Sequence, residues 1–321
     1  MERLRNPSAT SDLPRGGVVT IGNFDGIHRG HQVLVTGAVE RAREPGVPVV
    51  ALTFDPHPEK VLRPESGLKL LTTAAQRAQL LAALGVDTLV ELTFDRRFAA
   101  TTAEEFAREF LARRLVPREV RLGATFRFGA GRQGDVAFME EMGHQLGFDV
   151  VGVAPVLDGE EPISSTRVRR AVAHGDIVEA RRLLGRVLFV DGDVYRGERM
   201  GRRLGFPTIN VEVENELIPA HGVYVTAVFI PSFGRFFQSV TNIGVRPTVY
   251  ENYRVTIESH LLDFSADLYR EPVRLYFIRR LREERVFASS MELVSQIRRD
   301  VEAARLHFVQ AGVPTGELVP L

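Results

Sequence analysis

The sequence predicts two domains of different fold class: a doubly wound α/β domain over residues 1–185 and an antiparallel β-barrel with a closing α-helix over residues 186–321. In the first half, apolar runs alternate with amphipathic segments, which is the pattern of a mostly parallel sheet covered by helices on both faces. After Gly185, short β-rich runs are separated by turn residues, as in a small barrel. A chain of 321 residues is long enough to form two separate cores.

Apolar runs in the first half predict strands at residues 18–21, 47–54, 88–93, 120–123 and 150–153. Capping residues mark several of the helix starts between them, namely Thr73 with Gln76, Thr102 with Glu105, and Asp135. A further helix is predicted from about His31 to Arg43. In a doubly wound sheet, ligands lie at the carboxyl ends of the strands, so the loops that follow these runs are the first places to look for a site.

The first half ends with two short helices between Ser164 and Gly185, after which the pattern changes. Strands are then predicted at residues 187–195, 208–213, 223–229, 236–242, 253–262 and 273–280. Ser289 and Glu292 cap a long closing helix, which Gly312 and Pro314 stop. Its apolar stripe, which we interpret as packing, consists of Leu293, Ile297, Val301, Ala304 and Phe308.

Composition excludes several classes of site and partner. The formal net charge is zero, whereas proteins that mainly bind nucleic acid usually have a basic balance. The chain has no cysteine, which excludes disulfides, thiolate nucleophiles and cysteine-ligated metals and fits a reducing compartment. Neither Lys60 nor Lys69 belongs to a G-K-[ST] motif, so a lysine-dependent P-loop is excluded. Since no stretch resembles a signal peptide or a membrane span, we expect a cytoplasmic protein with neither nucleic-acid nor membrane partners.

The most informative motif is the run from Gly22 to His31, GNFDGIHRGH. It joins a predicted strand to a predicted helix through a glycine-rich turn, and such a turn presents backbone N–H groups and the positive end of a helix dipole to an anion. His28 and His31 are three residues apart, so they can share a face of the helix start and stabilise charge on a reacting phosphate. The alternatives are a metal site, or histidines that only form hydrogen bonds near a helix cap.

Further groups lie beyond predicted strands of the first half. They are the turn of Phe54, Pro56 and His57; the loop of Thr125, Phe126 and Phe128; and the segment of Ser164, Ser165, Thr166 and Arg167. The first suits a ligand contact or a purely structural turn, and the second suits a planar ligand or a plain loop. The third offers hydroxyls and free backbone N–H groups to phosphate, and a simple N-cap would explain only one of those hydroxyls.

The order and spacing of these groups over residues 15–185 resemble the adenylyltransferase half of the bacterial bifunctional riboflavin kinase/FMN adenylyltransferases (FAD synthetases), which carry the HxGH signature of Rossmann-like nucleotidyltransferases. The resemblance implies an in-line attack of the FMN phosphate on the α-phosphorus of ATP, which forms FAD and releases pyrophosphate. His28 and His31 would then be catalytic. Phosphate contacts would come from Gly22, Asn23, Phe24, Gly30, Ser164, Ser165, Thr166 and Arg167.

The same resemblance implies the side of the site that faces the flavin. Its residues would be Phe54, Pro56, His57, Thr125, Phe126 and Phe128. One departure from the family pattern occurs here, because the family usually has Asp or Asn where this chain has Thr125. Threonine keeps a hydroxyl but has a shorter reach.

The second half has its own signature between Gly197 and Asn210. Its glycines and arginines predict a flexible loop that folds over phosphates. Thr208 and Asn210 alternate on a strand, so their side chains point the same way and offer two neutral oxygens to Mg²⁺ held mainly by nucleotide phosphates. A surface hairpin would explain the glycines but not this pair.

A third signature, IESHLLDF, contains Glu258, which shares a strand face with His260. A carboxylate that faced the barrel interior would be costly without a function, and as a general base it would take a proton from a substrate hydroxyl. The alternative is a solvent-facing strand carboxylate.

Both signatures resemble the riboflavin kinase module, and the resemblance covers residues 186–308. It implies that Glu258 deprotonates the terminal ribityl hydroxyl of riboflavin and that Thr208 and Asn210 ligate the Mg²⁺ of ATP. The remaining contacts to ATP or riboflavin would be Gly197, Gly201, Arg202, Gly205, Phe206 and Pro207. Ile209 replaces a common Ala, and Arg270 replaces a common Gly and is expected to alter a turn.

The sequence therefore predicts a monomeric or weakly homo-oligomeric enzyme that converts riboflavin to FMN and FMN to FAD. The alternatives are an HxGH nucleotidyltransferase acting on another phosphate ester, a flavin-binding or regulatory protein whose transferase site has decayed, and a nucleic-acid-binding barrel. The last would show strongly salt-dependent binding to RNA or DNA.

Overall fold

The computed structural model describes residues 1–7, 13–197, 200–246 and 254–310. The chain divides into two compact units, Met1–Ser165 and Thr166–Leu321. This division falls before the boundary near Gly185 that the composition shift predicts. The difference has a physical reason, because the helix that ends at Leu184 packs against two strands of the barrel and belongs to its unit.

The first unit is built on a parallel sheet of six strands. They are β1 (Glu2–Arg5), β2 (Val18–Ile21), β3 (Val49–Asp55), β4 (Thr88–Thr93), β5 (Glu119–Gly123) and β6 (Asp149–Val153), in the order β1-β4-β3-β2-β5-β6. The predicted strands are confirmed within two residues, and β1 was not predicted. The strand order reverses at β2, so the loop after β2 lies where a doubly wound sheet binds its ligands.

Helices cover both faces of this sheet, since every residue of β2 is buried. They are α1 (Arg29–Arg43), α2 (Pro58–Leu62), α3 (Ala74–Ala83), α4 (Arg96–Ala99), α5 (Ala103–Glu105), which continues as a π-helical segment (Phe106–Leu115), and α6 (Val136–Leu146). The capping boxes at Thr73 and Thr102 and the Asp135 cap are all confirmed by their hydrogen bonds. A hairpin of β7 (Leu157–Asp158) and β8 (Glu161–Pro162) completes the unit.

The second unit is a closed antiparallel barrel with the strand order β10-β13-β12-β11-β14-β9. Its elements are α7 (Ser165–His174), which starts at the last residue of the first unit, α8 (Ile177–Leu184), β9 (Leu188–Tyr195), α9 (Met200–Arg203), β10 (Ile209–Val213), β11 (Gly222–Ile230), β12 (Arg235–Arg246), β13 (Arg254–Leu261), β14 (Pro272–Arg282) and α10 (Ser290–Gln310). The six predicted strands and the closing helix are confirmed. The predicted stop at Gly312 and Pro314 lies outside the described residues.

A chain of hydroxyls inside the barrel identifies which side chains point inward. Thr226 is hydrogen-bonded to Ser239 and Thr241, and Thr241 donates to Ser259 at 2.9 Å. All four are completely buried. Because successive strand residues point to opposite faces, Glu258 lies on the outer face of β13, next to the inward Ser259. Of the two orientations that the sequence left open for Glu258, the register of β13 therefore favours the outer face.

The closing helix packs on the outer face of β11 and β12. Ala304 and Phe308 are buried there against Val223, Val225 and Val240. The helix is also held by an ion pair, in which Arg282 of β14 donates to the buried Asp300 at 2.8 Å. The predicted packing role of the apolar stripe is thus seen most clearly at its C-terminal end.

Two candidate active sites

The GNFDGIHRGH turn has an unusual backbone. Phe24, Gly26 and Ile27 have φ values of +48°, +81° and +41°, and the two non-glycine residues among them are fully buried. Left-handed backbone is costly for residues with a Cβ and persists where the surroundings enforce it, which happens most often at functional sites. Here the buried Phe24 and Ile27 side chains anchor the turn.

Asp25 ties this turn to the segment before α3. Its buried carboxylate accepts hydrogen bonds from the Leu71 N–H at 3.0 Å and from the Thr72 N–H at 3.1 Å. The Gly26 N–H donates in turn to Thr72 Oγ1 at 3.1 Å. Sequence reasoning did not select Asp25, because its partners lie far along the chain and no local pattern reveals them.

The two histidines come together at the start of α1. His28 is the N-cap, and its Nδ1 accepts a long hydrogen bond of 3.4 Å from the His31 N–H. The two rings stack with centroids 3.8 Å apart. The helix therefore begins at Arg29, slightly before the predicted His31, because His28 itself provides the cap. Both imidazoles lie at the N-terminal end of α1, the end that the sequence predicted for them.

Gly30 makes room for this stack. A Cβ at Gly30 would lie 3.1 Å from Cε1 and 3.2 Å from Nδ1 of His28. Gly22 is restricted in a similar way, since a Cβ there would lie 3.2 Å from the Phe24 ring. Both glycines are thus explained by close approach of side chains.

The serine segment lies against the same turn. Ser165 Oγ donates to the Asp25 carbonyl at 3.0 Å, so the structure brings Ser165 of this predicted group to the turn that carries the histidines. Ser164 is half-buried and Thr166 is exposed. Arg167 forms an ion pair with Glu179 of α8 at 2.8 Å, a partner that the local sequence did not suggest.

The predicted flavin-side residues differ in how far they are exposed to solvent. Phe54 and Phe128 are buried in the aromatic core of the first unit, so packing already accounts for them. Thr125 is exposed in the turn after β5, and Phe126 stacks on Phe128 with centroids 5.9 Å apart. His57 caps α2 by accepting from the Glu59 N–H at 3.2 Å, after a cis bond between Asp55 and Pro56.

The second candidate site is a cavity of about 470 Å³ in the barrel unit. Four residues of the predicted kinase set line it together: Gly197, Pro207, Thr208 and Asn210. The opposite wall is formed by the segment from Phe264 to Tyr269, which sequence reasoning did not select. This volume is within the usual range for small-molecule sites.

Two glycines of the loop are held against the two predicted metal ligands. A Cβ at Gly197 would lie 2.4 Å from Nδ2 of Asn210, and one at Gly201 would lie 3.1 Å from Oγ1 of Thr208. Residues 200–203 form the short helix α9, where a flexible loop was predicted. Glu198, Arg199 and the side chain of Arg202 lie outside the described residues. Gly205 has a φ of +87°, which glycine adopts without strain.

Strand register places Glu258 beside Asn210. The two residues are cross-strand partners between β10 and β13, and Asn242 of β12 faces Glu258 from the other side. His260 donates through its Nδ1–H to the Pro207 carbonyl at 2.8 Å, and its ring packs edge-on against the Phe206 ring. The loop that carries Phe206 and Pro207 is thereby attached to the strand that carries Glu258.

The donors near this cavity suit a hard cation. Thr208 and Asn210 supply a hydroxyl and an amide oxygen, which are ligand types that Mg²⁺ accepts alongside substrate phosphates. Within the part of the chain that the structure describes, no cluster of three or more His, Asp or Glu side chains is arranged to hold a metal. The described helices also include none that is long and apolar enough to cross a membrane.

Comparisons with known proteins match both halves of the chain. A family model for FAD synthetase matches residues 10–167, and one for riboflavin kinase matches residues 184–308. The bifunctional riboflavin kinase/FMN adenylyltransferase of Escherichia coli strain K12 is 39% identical over 310 residues, which cover 96% of this chain and 98% of that protein. The enzyme of the same name from Pseudomonas fluorescens is 42% identical over 292 residues, which cover 91% of this chain and 93% of that enzyme.

A solved structure shows the same fold over nearly the whole length. A crystal structure described as a macrolide-efflux protein from Streptococcus pneumoniae superimposes with a TM-score of 0.87 at 31% identity. The superposition covers 95% of this chain and 99% of the chain in that crystal structure. Its description names a different activity from that of the curated relatives.

Proposed function

This chain belongs to the bifunctional riboflavin kinase/FMN adenylyltransferase family and is an enzyme with both activities, and we propose that the two sites described above are its two active sites. The histidine turn carries out adenylyl transfer, and the barrel cavity carries out phosphoryl transfer. The residues proposed for each lie within 1–185 and 186–321, the two functional domains expected from the sequence. Both family models describe flavin enzymes, so we do not extend the efflux description to this chain.

In the adenylyltransferase site, the His28 and His31 imidazoles contact the triphosphate of ATP and stabilise charge as the FMN phosphate oxygen attacks the α-phosphorus. The new phosphorus–oxygen bond forms as the bond to pyrophosphate breaks, and no covalent enzyme intermediate is needed. Electrostatic groups that are fixed before the reaction are effective at this task. The contacts to phosphate come from Gly22, Asn23, Phe24, Gly30, Ser164, Ser165, Thr166 and Arg167. The hydrogen bond between Ser165 and Asp25 supports the grouping of the serines with the turn.

Arg167 reaches a phosphate only by sharing or leaving its ion pair with Glu179. The flavin side consists of Phe54, Pro56, His57, Thr125, Phe126 and Phe128. In this set we assign direct contact first to the exposed Thr125 and the half-buried Phe126. The buried Phe54 and Phe128 support them from the core.

In the kinase site, the Glu258 carboxylate takes the proton of the terminal ribityl hydroxyl, whose oxygen attacks the γ-phosphorus of ATP and displaces ADP. Thr208 and Asn210 would hold Mg²⁺ together with the nucleotide phosphates, and the ion would supply charge that neutralises those phosphates. ATP and riboflavin are further contacted by Gly197, Gly201, Arg202, Gly205, Phe206 and Pro207. The single observation that carries this assignment is the cross-strand pairing of Glu258 with Asn210, which sets a base next to a metal ligand.

The experiment separates the two sites by substitution. We expect Glu258→Ala to abolish FMN formation from riboflavin while FMN is still converted to FAD, because the base serves only the kinase reaction. His31→Ala is expected to do the reverse. Both conversions are measured by chromatography of flavins after incubation with ATP and Mg²⁺.

Glu212→Ala is the control, since Glu212 is an exposed carboxylate on β10, the strand that pairs with β13. A folded Glu258→Ala protein that loses both activities would contradict the assignment of separate sites. Flavin binding without turnover in the unaltered protein would instead favour the decayed-transferase alternative.

The remaining proposals concern the cellular setting. The zero net charge and the absence of cysteine support an enzyme of the cytoplasm that binds small molecules and neither nucleic acid nor membranes. We further propose a monomer or a weak homo-oligomer, which sedimentation at two protein concentrations tests directly.

A further inference from the structure

Arg270 occupies a backbone position that favours glycine. Its φ is +66°, in the left-handed region. It is the third residue of a tight turn that is closed by the Glu271 N–H donating to the Leu268 carbonyl at 2.9 Å, and its own N–H donates to the Val194 carbonyl of β9 at 2.9 Å. The turn expected to be altered by the Gly-to-Arg departure is therefore formed, with the strain carried by Arg270. Such strain is characteristic of positions where the side chain has a use.

The Arg270 side chain stacks on the wall of the cavity. Its guanidinium carbon lies 5.2 Å from the centroid of the Tyr269 ring, and that of Arg196 lies 4.5 Å from the same centroid. Tyr269 and Arg196 both line the cavity that contains Thr208 and Asn210. A cation over an aromatic face is held by the ring quadrupole, so Tyr269 fixes two guanidinium groups at this cavity.

The charges of the lining residues make the position of Arg270 important. Among the described residues that line the cavity, the charged ones are Arg196 and Asp267, whose formal charges cancel. A nucleotide triphosphate is strongly anionic even when it carries one Mg²⁺. Arg270, the neighbour of Tyr269, therefore places a further positive charge beside these lining residues.

We propose that Arg270 determines the affinity of the kinase site for the nucleotide polyphosphate. Its positive charge strengthens the binding of the polyphosphate, while its left-handed backbone conformation destabilises the folded barrel. The inference rests on the proposed assignment of this cavity to Mg·ATP. It concerns binding only, because Arg270 does not need to touch the reacting atoms. Its signature is an effect on KM for ATP with little effect on kcat.

The test uses the full-length enzyme with Arg270→Gln, which removes the charge and keeps a Cβ, and Arg270→Gly, which removes both charge and strain. Arg279→Gln is the matched control, because Arg279 is an exposed arginine of β14 that does not line the cavity. The kinase reaction is measured at about 0.02 M and about 0.5 M salt, since added salt screens exposed charges. The adenylyltransferase activity of each variant reports on the integrity of the rest of the chain.

We expect both Arg270 variants to raise KM for ATP about three- to tenfold at low salt, with kcat within about twofold and the difference greatly reduced at high salt. Arg270→Gly should also raise the melting temperature of the barrel unit relative to Arg270→Gln. The proposal would be overturned by an unchanged KM for ATP at low salt or by an equal rise of that KM in Arg279→Gln. It would also be overturned if only the KM for riboflavin changed. If Asn210→Ala leaves the kinase unaffected while Arg270→Gln still raises KM, the metal assignment fails and the charge effect of Arg270 stands.

Discussion

Single atoms decide whether the histidine turn can form, and Gly30 is the clearest case. We expect Gly30→Ala to reduce FAD formation at least about tenfold, because the new Cβ would press on the His28 ring at 3.1–3.2 Å and shift it from His31. Kinase activity should be unchanged. Stability should change by less than about 1 kcal/mol, since alanine favours helix and offsets part of the crowding.

Gly37→Ala is a matched control in the same helix. Its Cβ would lie 2.7 Å from Nη1 of Arg121, which is the movable end of a long side chain. Both activities are therefore expected to persist, as measured by flavin chromatography. Equal loss in the two variants would show that crowding of α1, rather than displacement of His28, is responsible.

The candidate residues selected from the sequence share one property: their proposed roles follow from neighbours in the chain. His28, His31 and Gly30 form a local motif, and Thr208 with Asn210 follows from strand alternation. Asp25 and His260 were missed because each acts on a segment far away in sequence, Thr72 and Pro207 respectively. Likewise, the ion pair of Arg167 depends on how α7 packs on α8, which the local pattern does not encode.

Whole elements were predictable where hydrophobic periodicity was strong. β2 and β4 were located at their observed bounds because buried strands read as continuous apolar runs. β1 was missed because it is a four-residue edge strand, Glu2–Arg5, in which three of the four residues are charged and whose pairing depends on β4. The inward or outward direction of Glu258 was also beyond the sequence, because it depends on which face of β13 closes the barrel.

An ion pair inside the first unit holds β1 to the sheet. Glu91 of β4 is buried and receives hydrogen bonds from Arg3 at 3.0 Å and from Arg77 at 2.9 Å. Burial alone would raise the pKa of Glu91, but the hydrogen bonds and charges of Arg3 and Arg77 outweigh it and lower that pKa below the usual 4.5. The carboxylate thus contributes stability above its unfolded pKa, and this contribution is lost as pH falls through the lower folded pKa.

Lowering the pH should therefore reduce the stability of the first unit, because protonation of Glu91 removes its ion pairs with Arg3 and Arg77. We expect Glu91→Gln to lower its free energy of unfolding by about 2–4 kcal/mol at neutral pH, because two arginines are left without their carboxylate. The variant should lose less stability than the unaltered protein between about pH 5 and pH 3. Urea titrations across this range measure the effect. Glu104→Gln, at an exposed glutamate paired with Arg108, should leave the pH dependence unchanged, and an identical pH profile for Glu91→Gln would contradict the role of the pair.

At the scale of the molecule, the two proposed active sites are built from separate stretches of chain, one for each reaction. The histidine turn, Asp25 and Ser165 all belong to the first unit. The cavity lined by Thr208 and Asn210 belongs to the second unit, as does Glu258, the cross-strand partner of Asn210. The product of the kinase reaction is the substrate of the other reaction, so FMN links two sites that have no described residue in common.

This independence predicts complementation between inactive variants. A mixture of Glu258→Ala and His31→Ala proteins should convert riboflavin to FAD, because the second makes FMN and the first consumes it. Since the intermediate must pass through solution, FAD should appear after a lag that shortens as protein concentration rises, and an excess of FMN-binding apoprotein should trap the intermediate. Chromatography at successive times measures both flavins.

The mixture could form FMN but no FAD while the Glu258→Ala protein alone still adenylylates FMN that is added at higher concentration. In that case the concentration of free FMN is limiting. If that protein adenylylates no FMN at any concentration, the two sites depend on each other within one chain, and the assignment of the two reactions to separate sites fails.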